Sequence, residues 1–139
     1  MTPEERANLD VVKAIYDGWT GSKAANIDEL TDYIADDVEW RSLANGAAPF
    51  AFTAPGRGKE HALAYLQGLT EAWSMVYYEI TDYIVQHDKV VVLSDVSWTC
   101  KATEKTIESP KADVLTLKDG KVVAFMEYYD TEQFLAAGR

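Results

Sequence analysis

Few residues in this sequence are suited to binding a metal ion or to forming a covalent cross-link. Among the 139 residues there is one cysteine, Cys100, and the two histidines, His61 and His87, lie far apart. A single cysteine excludes an internal disulfide, and this histidine spacing is not that of a zinc site. Neither a glycine-rich phosphate loop nor a Gly-x-Ser-x-Gly motif occurs. We therefore expect no metal, no nucleotide cofactor and no serine-hydrolase chemistry.

Positive charge and long apolar runs are also scarce. The 13 lysines and arginines are outnumbered by 23 aspartates and glutamates, which gives a net charge of -10. Nucleic-acid binding needs basic clusters, so we predict no nucleic-acid partner. A membrane span needs ~18 consecutive apolar residues, and a negative surface repels anionic lipid, so we expect no membrane association. The first ten residues are typical of a helix start and not of a signal peptide, which predicts a cytoplasmic protein.

The residues that are abundant are those of a globular domain. Hydrophobic residues make up 47% of the chain, and there are four tryptophans and eight tyrosines, which are suited to lining a pocket. The length predicts one domain over residues 1–139. Apolar residues recur at helical spacing in the first half, and Tyr16 lies on the inward stripe of the first helix. The predicted helices run from a Thr2 cap to about Trp19, from an Asn26 cap to Ile34, and from Lys59 to about Trp73.

The rest of the chain alternates as strands do. A short strand over Val38–Ser42 turns Trp40 and Ser42 inward, and the second half is an antiparallel meander that ends in a hairpin. The meander strands are predicted over Val76–Val85, Lys89–Ala102 and the hairpin Lys111–Asp130, with Val96, Trp98 and Cys100 facing inward. Helices followed by strands indicate an α+β domain whose sheet curls around the helices. The loop over residues 43–58 carries Phe50 and Phe52 and is predicted to cover a pocket.

The closing hairpin places two acids on an apolar face. A three-residue loop at Lys118–Gly120 would set Leu117 opposite Lys121 and Asp113 opposite Phe125, with Glu127 one step further along. Leu115 and Tyr129 have the same parity. An unpaired acid on such a face is costly to ionise, so the pattern is typical of proton chemistry. The alternatives are that neighbouring hydroxyls or amides satisfy both acids, that a register slip exposes them, or that Lys111 pairs with Glu127 across the strands.

Two motifs, A-D-D-V-E-W at 35–40 and D-G-K-V-V-A-F-M-E-Y-Y-D at 119–130, together with the element order, resemble the SnoaL-like branch of the nuclear transport factor 2-like superfamily. The resemblance implies a cone-shaped barrel, in which a strongly bent, mostly antiparallel sheet wraps around three helices from the N-terminal half. Family members include ketosteroid isomerases, polyketide cyclases, limonene epoxide hydrolases, dehydratases and non-enzymatic binders. The fold alone therefore does not assign a reaction.

The resemblance also bears on individual residues. Tyr16 and Asp113 are similar to the tyrosine and protonated aspartic acid that form the ketosteroid isomerase oxyanion hole. The base of that isomerase falls on Ser42, which cannot take its role. Of the epoxide hydrolase triad only Glu127 matches, because the other two positions fall on Val96 and Trp98. In the polyketide cyclases, the principal acid/base aspartate lies on the strand that carries Asp113.

These observations favour a cofactor-independent acid/base enzyme of isomerase, cyclase or dehydratase type. It would act on a small apolar carbonyl-bearing molecule, with Asp113 as acid/base and with Tyr16 and Glu127 assisting. The predicted ligand contacts are Trp40, Ser42, Val96, Trp98, Cys100, Leu115, Phe125 and Tyr129.

Two other functions remain open. One is a non-catalytic module that binds a small hydrophobic ligand, and the other is an interaction domain whose cone is filled by Phe50 and Phe52. The resemblance also implies a homodimer formed through the outer face of the sheet. That face would include Tyr77, Val91, Val114 and Met126.

Overall fold

A computed structural model describes residues 1–139, and it contains four α-helices and six strands. The helices are α1 (Pro3–Gly21), α2 (Ile27–Leu30), α3 (Lys59–Ala72) and α4 (Thr131–Ala137). The strands are β1 (Ile34–Ser42), β2 (Gly56–Arg57), β3 (Trp73–Gln86), β4 (Lys89–Cys100), β5 (Thr106–Lys118) and β6 (Lys121–Tyr128). Short 3-10 turns lie at Thr31–Tyr33 and Ala51–Thr53.

All six strands form one curved sheet in the order β2-β1-β6-β5-β4-β3. Every neighbouring pair is antiparallel except β1 and β6, which run parallel. The sheet is not closed, since β2 and β3 remain its two edges. Helices α1 and α3 pack against it, and one hydrophobic core joins the helices to the sheet. The predicted α+β fold with a bent, mostly antiparallel sheet is confirmed.

The first and third helices lie where the sequence places them, but the second is shorter than predicted. A capping box begins α1, because the Glu5 amide donates to Thr2 Oγ1 at 3.1 Å and the Thr2 amide donates to Glu5 Oε1 at 2.8 Å. Helix α2 ends at Leu30, and β1 already begins at Ile34. Ile34 is buried and pairs with Val122 of β6, so tertiary pairing prevails over local helix propensity.

The last helix, α4, is absent from the sequence-based prediction. Asp130 caps it, with its carboxylate accepting from the Gln133 amide at 3.1 Å. The helix buries Phe134 against Phe50, whose ring centroid lies 4.5 Å away. The loop over residues 43–58 therefore closes one end of the core through Phe50, with α4 packed beside it.

The register of the closing hairpin differs from the prediction. The loop has only two residues, Asp119 and Gly120, both with positive φ (52° and 75°), and Lys118 pairs with Lys121. Such a turn is of type I′, which matches the twist of the strands. A bulge then inserts Val123 between the partners of Thr116 and Leu117. As a result Asp113 lies opposite Glu127 and not opposite Phe125 as predicted, although both acids do face the core.

Candidate functional site

Asp113 is held in the interior by hydroxyl groups from two other elements. Only 1% of the residue is exposed. The Tyr16 hydroxyl of α1 donates to Asp113 Oδ2 at 2.5 Å, and the Tyr78 hydroxyl of β3 donates to the same oxygen at 3.0 Å. Tyr16 and Asp113, the two residues that resemble oxyanion-hole groups, are thus hydrogen-bonded to each other, and Tyr78 is a second donor.

Glu127 lies across from Asp113 on β6 and has its own set of hydroxyl donors. Its Oε1 accepts from the Tyr65 hydroxyl of α3 and, at 3.0 Å, from the Ser42 hydroxyl of β1. Ser42 Oγ lies 2.6 Å from the Tyr129 hydroxyl, which extends the network by one group. The hydroxyl donors of Glu127 thus come from different elements than those of Asp113.

Lys111 joins the two acids. Its Nζ lies 3.1 Å from Asp113 Oδ1 and 3.2 Å from Glu127 Oε2, and only 13% of its side chain is exposed. It also donates to the Tyr78 hydroxyl at 2.9 Å. We call Lys111, Asp113 and Glu127 with their hydroxyl partners Tyr16, Ser42, Tyr65 and Tyr78 the charge cluster. One ammonium faces two carboxylates, so the ionised cluster has an excess of negative charge.

The two carboxylates differ in how completely they are enclosed. Asp113 Oδ2 receives Tyr16, Tyr78 and Lys111, while Oδ1 is sealed from solvent and faces the Lys111 ammonium without a well-formed hydrogen bond. Glu127 Oε2 has only the ion pair with Lys111. Asp113 Oδ1 and Glu127 Oε2 thus each have only the Lys111 ion pair, and of these two oxygens Glu127 Oε2 is the one that is not sealed from solvent.

Burial and charge fix the protonation of the groups around the acids. Burial, followed by the nearby carboxylate, raises the pKa of Tyr16, Tyr65 and Tyr78 well above that of a free tyrosine, so all three stay neutral donors. For Lys111, burial acts to lower the pKa, but Asp113 and Glu127 outweigh it and hold the pKa well above its usual value. Lys111 therefore remains an ammonium at neutral pH.

Two small cavities meet at the charge cluster. The Trp40 cavity, of about 60 Å³, is lined mostly by the apolar parts of Ile15, Tyr16, Trp19, Leu30, Trp40, Tyr65, Leu66, Leu69, Tyr78 and Phe125, together with Lys111, Asp113 and Glu127. The Trp98 cavity, of about 40 Å³, is lined by Tyr65, Leu69, Trp73, Val96, Trp98, Ile107, Ser109, Lys111, Glu127, Tyr129 and Phe134. Asp113 lines only the first cavity, whereas Glu127 and Lys111 line both.

The structure brings most of the predicted site residues together. Asp113, Tyr16 and Glu127 share the charge cluster, and Ser42 joins it through Glu127. Among the predicted ligand contacts, Trp40 and Phe125 line the Trp40 cavity, and Val96, Trp98 and Tyr129 line the Trp98 cavity. Cys100 and Leu115 are buried in the core but line neither cavity. Phe50 and Phe52 also line neither, so they do not fill these cavities.

Three members of the cluster were not identified as site residues from the sequence. In the sequence, Lys111 is only a possible cross-strand partner of Glu127, although it shares the parity of Asp113 two residues on, which places it on the inward face. Tyr65 lies at helical spacing with Ala62 and Leu69, a signal that marks it as inward. Tyr78 had no such signal, because a bulge between Met75 and Tyr77 shifts the alternation of β3.

Two further features of the chain concern metal binding and membrane-spanning helices. No group of three or more histidine, cysteine, aspartate or glutamate side chains is arranged so that it could ligate a metal. No helix is both long enough and apolar enough to cross a membrane.

Comparison with known families gives one match that covers most of the chain. Residues 12–125 match the family described as the SnoaL-like domain. The matched segment contains the whole of β5, which carries Asp113, and ends two residues before Glu127. No protein of curated function matches the sequence closely enough to count as a relative.

Solved structures show the same fold at low sequence identity. An NTF2-like protein from Burkholderia xenovorans LB400 is 24% identical, with 97% of this chain and 98% of that chain covered and a TM-score of 0.81. A protein with a ketosteroid isomerase-like fold from Catenulispora acidiphila DSM 44928, in complex with trimethylamine, is 20% identical, with coverage of 99% and 94% and a TM-score of 0.74. TerC, co-crystallised with polyporic acid, is 21% identical, with coverage of 94% and 97% and a TM-score of 0.79.

Proposed function

The chain belongs to the SnoaL-like domain family, and on that basis we propose that it is a cofactor-independent acid/base enzyme of isomerase, cyclase or dehydratase type. Its substrate is a small apolar molecule with a carbonyl group, which binds where the two cavities meet. The observation that carries the proposal is the buried ion pair of Lys111 and Glu127, which lies on the wall of both cavities. A base and a cation side by side in apolar surroundings are the groups that enolisation requires.

Between the two acids, we assign the proton acceptor to Glu127. Its Oε2 has Lys111 as its only ion-pair or hydrogen-bond partner, whereas Asp113 Oδ2 already receives three donors and its Oδ1 is sealed. A carboxylate oxygen with free lone pairs is a better base than one whose lone pairs are occupied. Asp113 then acts by positioning Lys111 and by orienting the Tyr16 hydroxyl, which differs from the principal role that the sequence suggests for it.

The proton transfer proceeds in one balanced step. Glu127 Oε2 takes a proton from the carbon beside the carbonyl, the electron pair of that C–H bond forms a C=C bond, and the carbonyl π pair moves to the oxygen. The Lys111 ammonium offsets the charge that develops on this oxygen. Its raised pKa keeps Lys111 protonated, so it acts as an electrostatic donor and not as a nucleophile that forms a Schiff base.

The fate of the enolate distinguishes the three reaction types. Return of the proton from Glu127 to another carbon completes an isomerisation. Attack of the enolate carbon on a second carbonyl closes a ring, with that carbonyl oxygen taking the proton from Glu127, and loss of a β-hydroxyl group with the same proton, as water, completes a dehydration. All three use the same base and the same cation. The charge cluster therefore accounts for the proton transfer, and the structure of the substrate decides which later step follows.

Exchange of carbon-bound hydrogen tests the proposal without a known substrate. In heavy water, the protein is expected to accelerate incorporation of deuterium beside the carbonyl of butanone, followed by NMR. Glu127→Gln should reduce the protein-dependent rate by about 100-fold to 10,000-fold, the range for a positioned acid/base. Glu108→Gln, at an exposed position of β5, is the matched control and should leave the rate unchanged. If butanone binds but exchanges hydrogen no faster with the wild-type protein than in buffer alone, the enzymatic proposal is wrong.

A second candidate function is a non-catalytic binding module for a small hydrophobic ligand. The observation that favours it is the near-complete hydrogen bonding of both acids within the protein. Two proteins of this fold have been crystallised with small molecules, trimethylamine and polyporic acid, which supports ligand binding of some kind. Butanone binding without hydrogen exchange would favour this function over the enzymatic one.

The outer face of the sheet supports a homodimer as part of the proposal. Tyr77, Val91, Val114 and Met126 lie partly buried on strands β3 to β6, with Val91, Val114 and Met126 paired side by side across three neighbouring strands. Covering such a continuous face would remove apolar surface from water. Sedimentation should give a dimer that Val114→Lys dissociates, and a wild-type protein that sediments only as a monomer contradicts this part.

A further inference from the structure

We infer that Tyr65 is a specificity-determining residue that limits the size of the ligand. The inference rests on the proposed function for the identity of that ligand, and it concerns which carbonyl compounds enter the site. Four residues line both cavities, and two of them are the charged pair Lys111 and Glu127. The other two, Tyr65 and Leu69, lie one helical turn apart on α3. Their side chains therefore form the uncharged part of the wall between the cavities.

Contacts on three sides hold the Tyr65 ring in place. Its hydroxyl donates to Glu127 Oε1, and the ring centroid lies 5.9 Å from that of Trp40. On the third side Phe52, from the loop over residues 43–58, meets the ring at a centroid distance of 5.4 Å. We call this uncharged part of the wall, formed by Tyr65 and Leu69, the partition. At Tyr65 it is held by both a hydrogen bond and aromatic packing, and Tyr65 is 4% exposed.

Phe52 can lie this close to α3 only because residue 68 is a glycine. A Cβ atom at Gly68 would come within 2.6 Å of Phe52 Cβ, well inside van der Waals contact. The loop, Phe52 and Tyr65 therefore form one packed row that ends on Glu127. Any ligand that needs the space of the Tyr65 ring must displace this row as well.

The sizes of the two cavities define what the partition excludes. About 60 Å³ and 40 Å³ correspond to roughly four and three water molecules. A small aliphatic ketone matches such a volume, whereas a phenyl ketone does not fit in either cavity. With the Tyr65 ring removed, the cavities join into one apolar space beside Glu127, and engineered apolar cavities of this kind bind aromatic molecules.

Binding of two methyl ketones tests the inference, with butanone as the small probe and acetophenone as the larger one. Affinities are measured by two-dimensional NMR titration of the wild type, Tyr65→Ala and Tyr65→Phe. We expect Tyr65→Ala to bind acetophenone at least about tenfold more tightly than the wild type does, because the phenyl ring of acetophenone can occupy the space that the Tyr65 side chain leaves. Tyr65→Phe keeps the ring and is expected to keep the wild-type preference for butanone.

Equal affinity of wild type and Tyr65→Ala for acetophenone overturns the inference, as does an equal gain in Tyr65→Phe. If Tyr65→Ala does not fold, Leu69→Ala replaces it in the test. Leu69 is the other uncharged residue of the wall and is partly exposed, and its removal is also expected to increase the affinity for acetophenone. No gain in Leu69→Ala then counts against the partition. The measurement is of binding and not of catalysis, so the two proposals can fail separately. If Tyr65→Ala gains acetophenone affinity but the protein catalyses no hydrogen exchange, Tyr65 does limit ligand size and the enzymatic proposal is wrong.

Discussion

The charge cluster lies beside a second group of buried side chains that is held together quite differently. This aromatic cluster consists of Phe50, Trp73, Tyr129 and Phe134, in which the Trp73 and Phe134 rings stack at 5.0 Å and Tyr129 meets Phe134 edge-on at 5.3 Å. Both clusters contribute to the wall of the Trp98 cavity. Tyr129 belongs to the aromatic cluster and reaches the charge cluster through the Ser42 hydroxyl.

The two clusters depend on their members in different ways. In the aromatic cluster each ring contributes in proportion to the surface that it buries, so a smaller apolar side chain weakens the cluster gradually. In the charge cluster each group is tolerated only because its partners are present, so loss of one member leaves another charge buried without compensation. A protein stabilises its fold with the first kind of arrangement, whereas the second kind is typical of sites that handle protons.

Removal of the shared cation is expected to have the largest effect. Lys111→Met leaves Asp113 and Glu127 facing each other in the interior, and we expect a loss of about 3–5 kcal/mol in the free energy of unfolding. Urea denaturation at pH 7 measures it, with exposed Lys118→Met as the control that stays within about 0.5 kcal/mol of wild type. Combining Lys111→Met with Asp113→Asn and Glu127→Gln should restore much of the loss, because no buried charge is then left. A loss below about 1 kcal/mol for Lys111→Met would show that the acids do not depend on it.

A smaller side chain in the aromatic cluster is expected to have a more moderate effect. Phe134 is buried, and Phe134→Leu keeps most of its apolar volume, so we predict a loss of about 2 kcal/mol. The same loss should be found at pH 6 and pH 9, since no titrating group changes. A loss that varies with pH would mean that the two clusters are coupled through Tyr129.

Alkaline pH should weaken the charge cluster more than the aromatic cluster, because the pKa is raised for Lys111 and three tyrosines of the first but only for Tyr129 of the second. The folded-state pKa values of Lys111, Tyr16 and Tyr65 lie above their unfolded values, so the native state holds more protons once the pH exceeds about 10. The stabilisation is complete below that pH and is lost as the pH rises toward the folded-state values, by roughly 1.4 kcal/mol per pH unit for each such proton. Unfolding free energies of wild type and Lys111→Met from pH 8 to 11 should show the shallower decline in the variant. Parallel declines would contradict the raised pKa of Lys111.

Loss of a single hydroxyl should have the smallest effect. Ser42→Ala removes one of the two hydroxyl donors of Glu127 Oε1 while Tyr65 remains, and we expect a loss of about 1 kcal/mol. Ser74→Ala, at an exposed position of β3, is the matched control. A loss of several kcal/mol for Ser42→Ala would indicate that its hydrogen bond with Tyr129 stabilises both clusters, beyond the donor that it supplies to Glu127.

Sequence patterns predicted the fold and the inward faces well, because these depend on local periodicity and on a family resemblance that covers most of the chain. The same patterns placed Asp113, Tyr16 and Glu127 in one interior. They failed where backbone irregularities intervene. The two-residue turn and the bulge at Val123 together place Asp113 opposite Glu127 and not opposite Phe125, and the bulge in β3 conceals Tyr78.

The position of Lys111 shows a second kind of feature that the sequence alone does not predict. A lysine at the predicted start of a hairpin is usually solvated, and the cross-strand pairing expected for it is of the exposed kind. Only the tertiary structure shows that the helices cover this part of the sheet and that Lys111 reaches both acids. Parity, family position and the possible pairing of Lys111 with Glu127 rank Asp113 first, whereas the partners and the solvent access of the individual carboxylate oxygens favour Glu127 as the base.

Hydrogen exchange of butanone in heavy water, compared between Glu127→Gln and Asp113→Asn, decides which acid accepts the proton. Glu127→Gln is predicted to lower the protein-dependent rate by about 100-fold or more, whereas Asp113→Asn, which acts through the position of Lys111, should lower it less. Both variants are compared at equal butanone saturation, determined by NMR titration. If Asp113→Asn abolishes exchange while Glu127→Gln retains the wild-type rate, Glu127 is not the base and the assignment made from the oxygen partners is wrong.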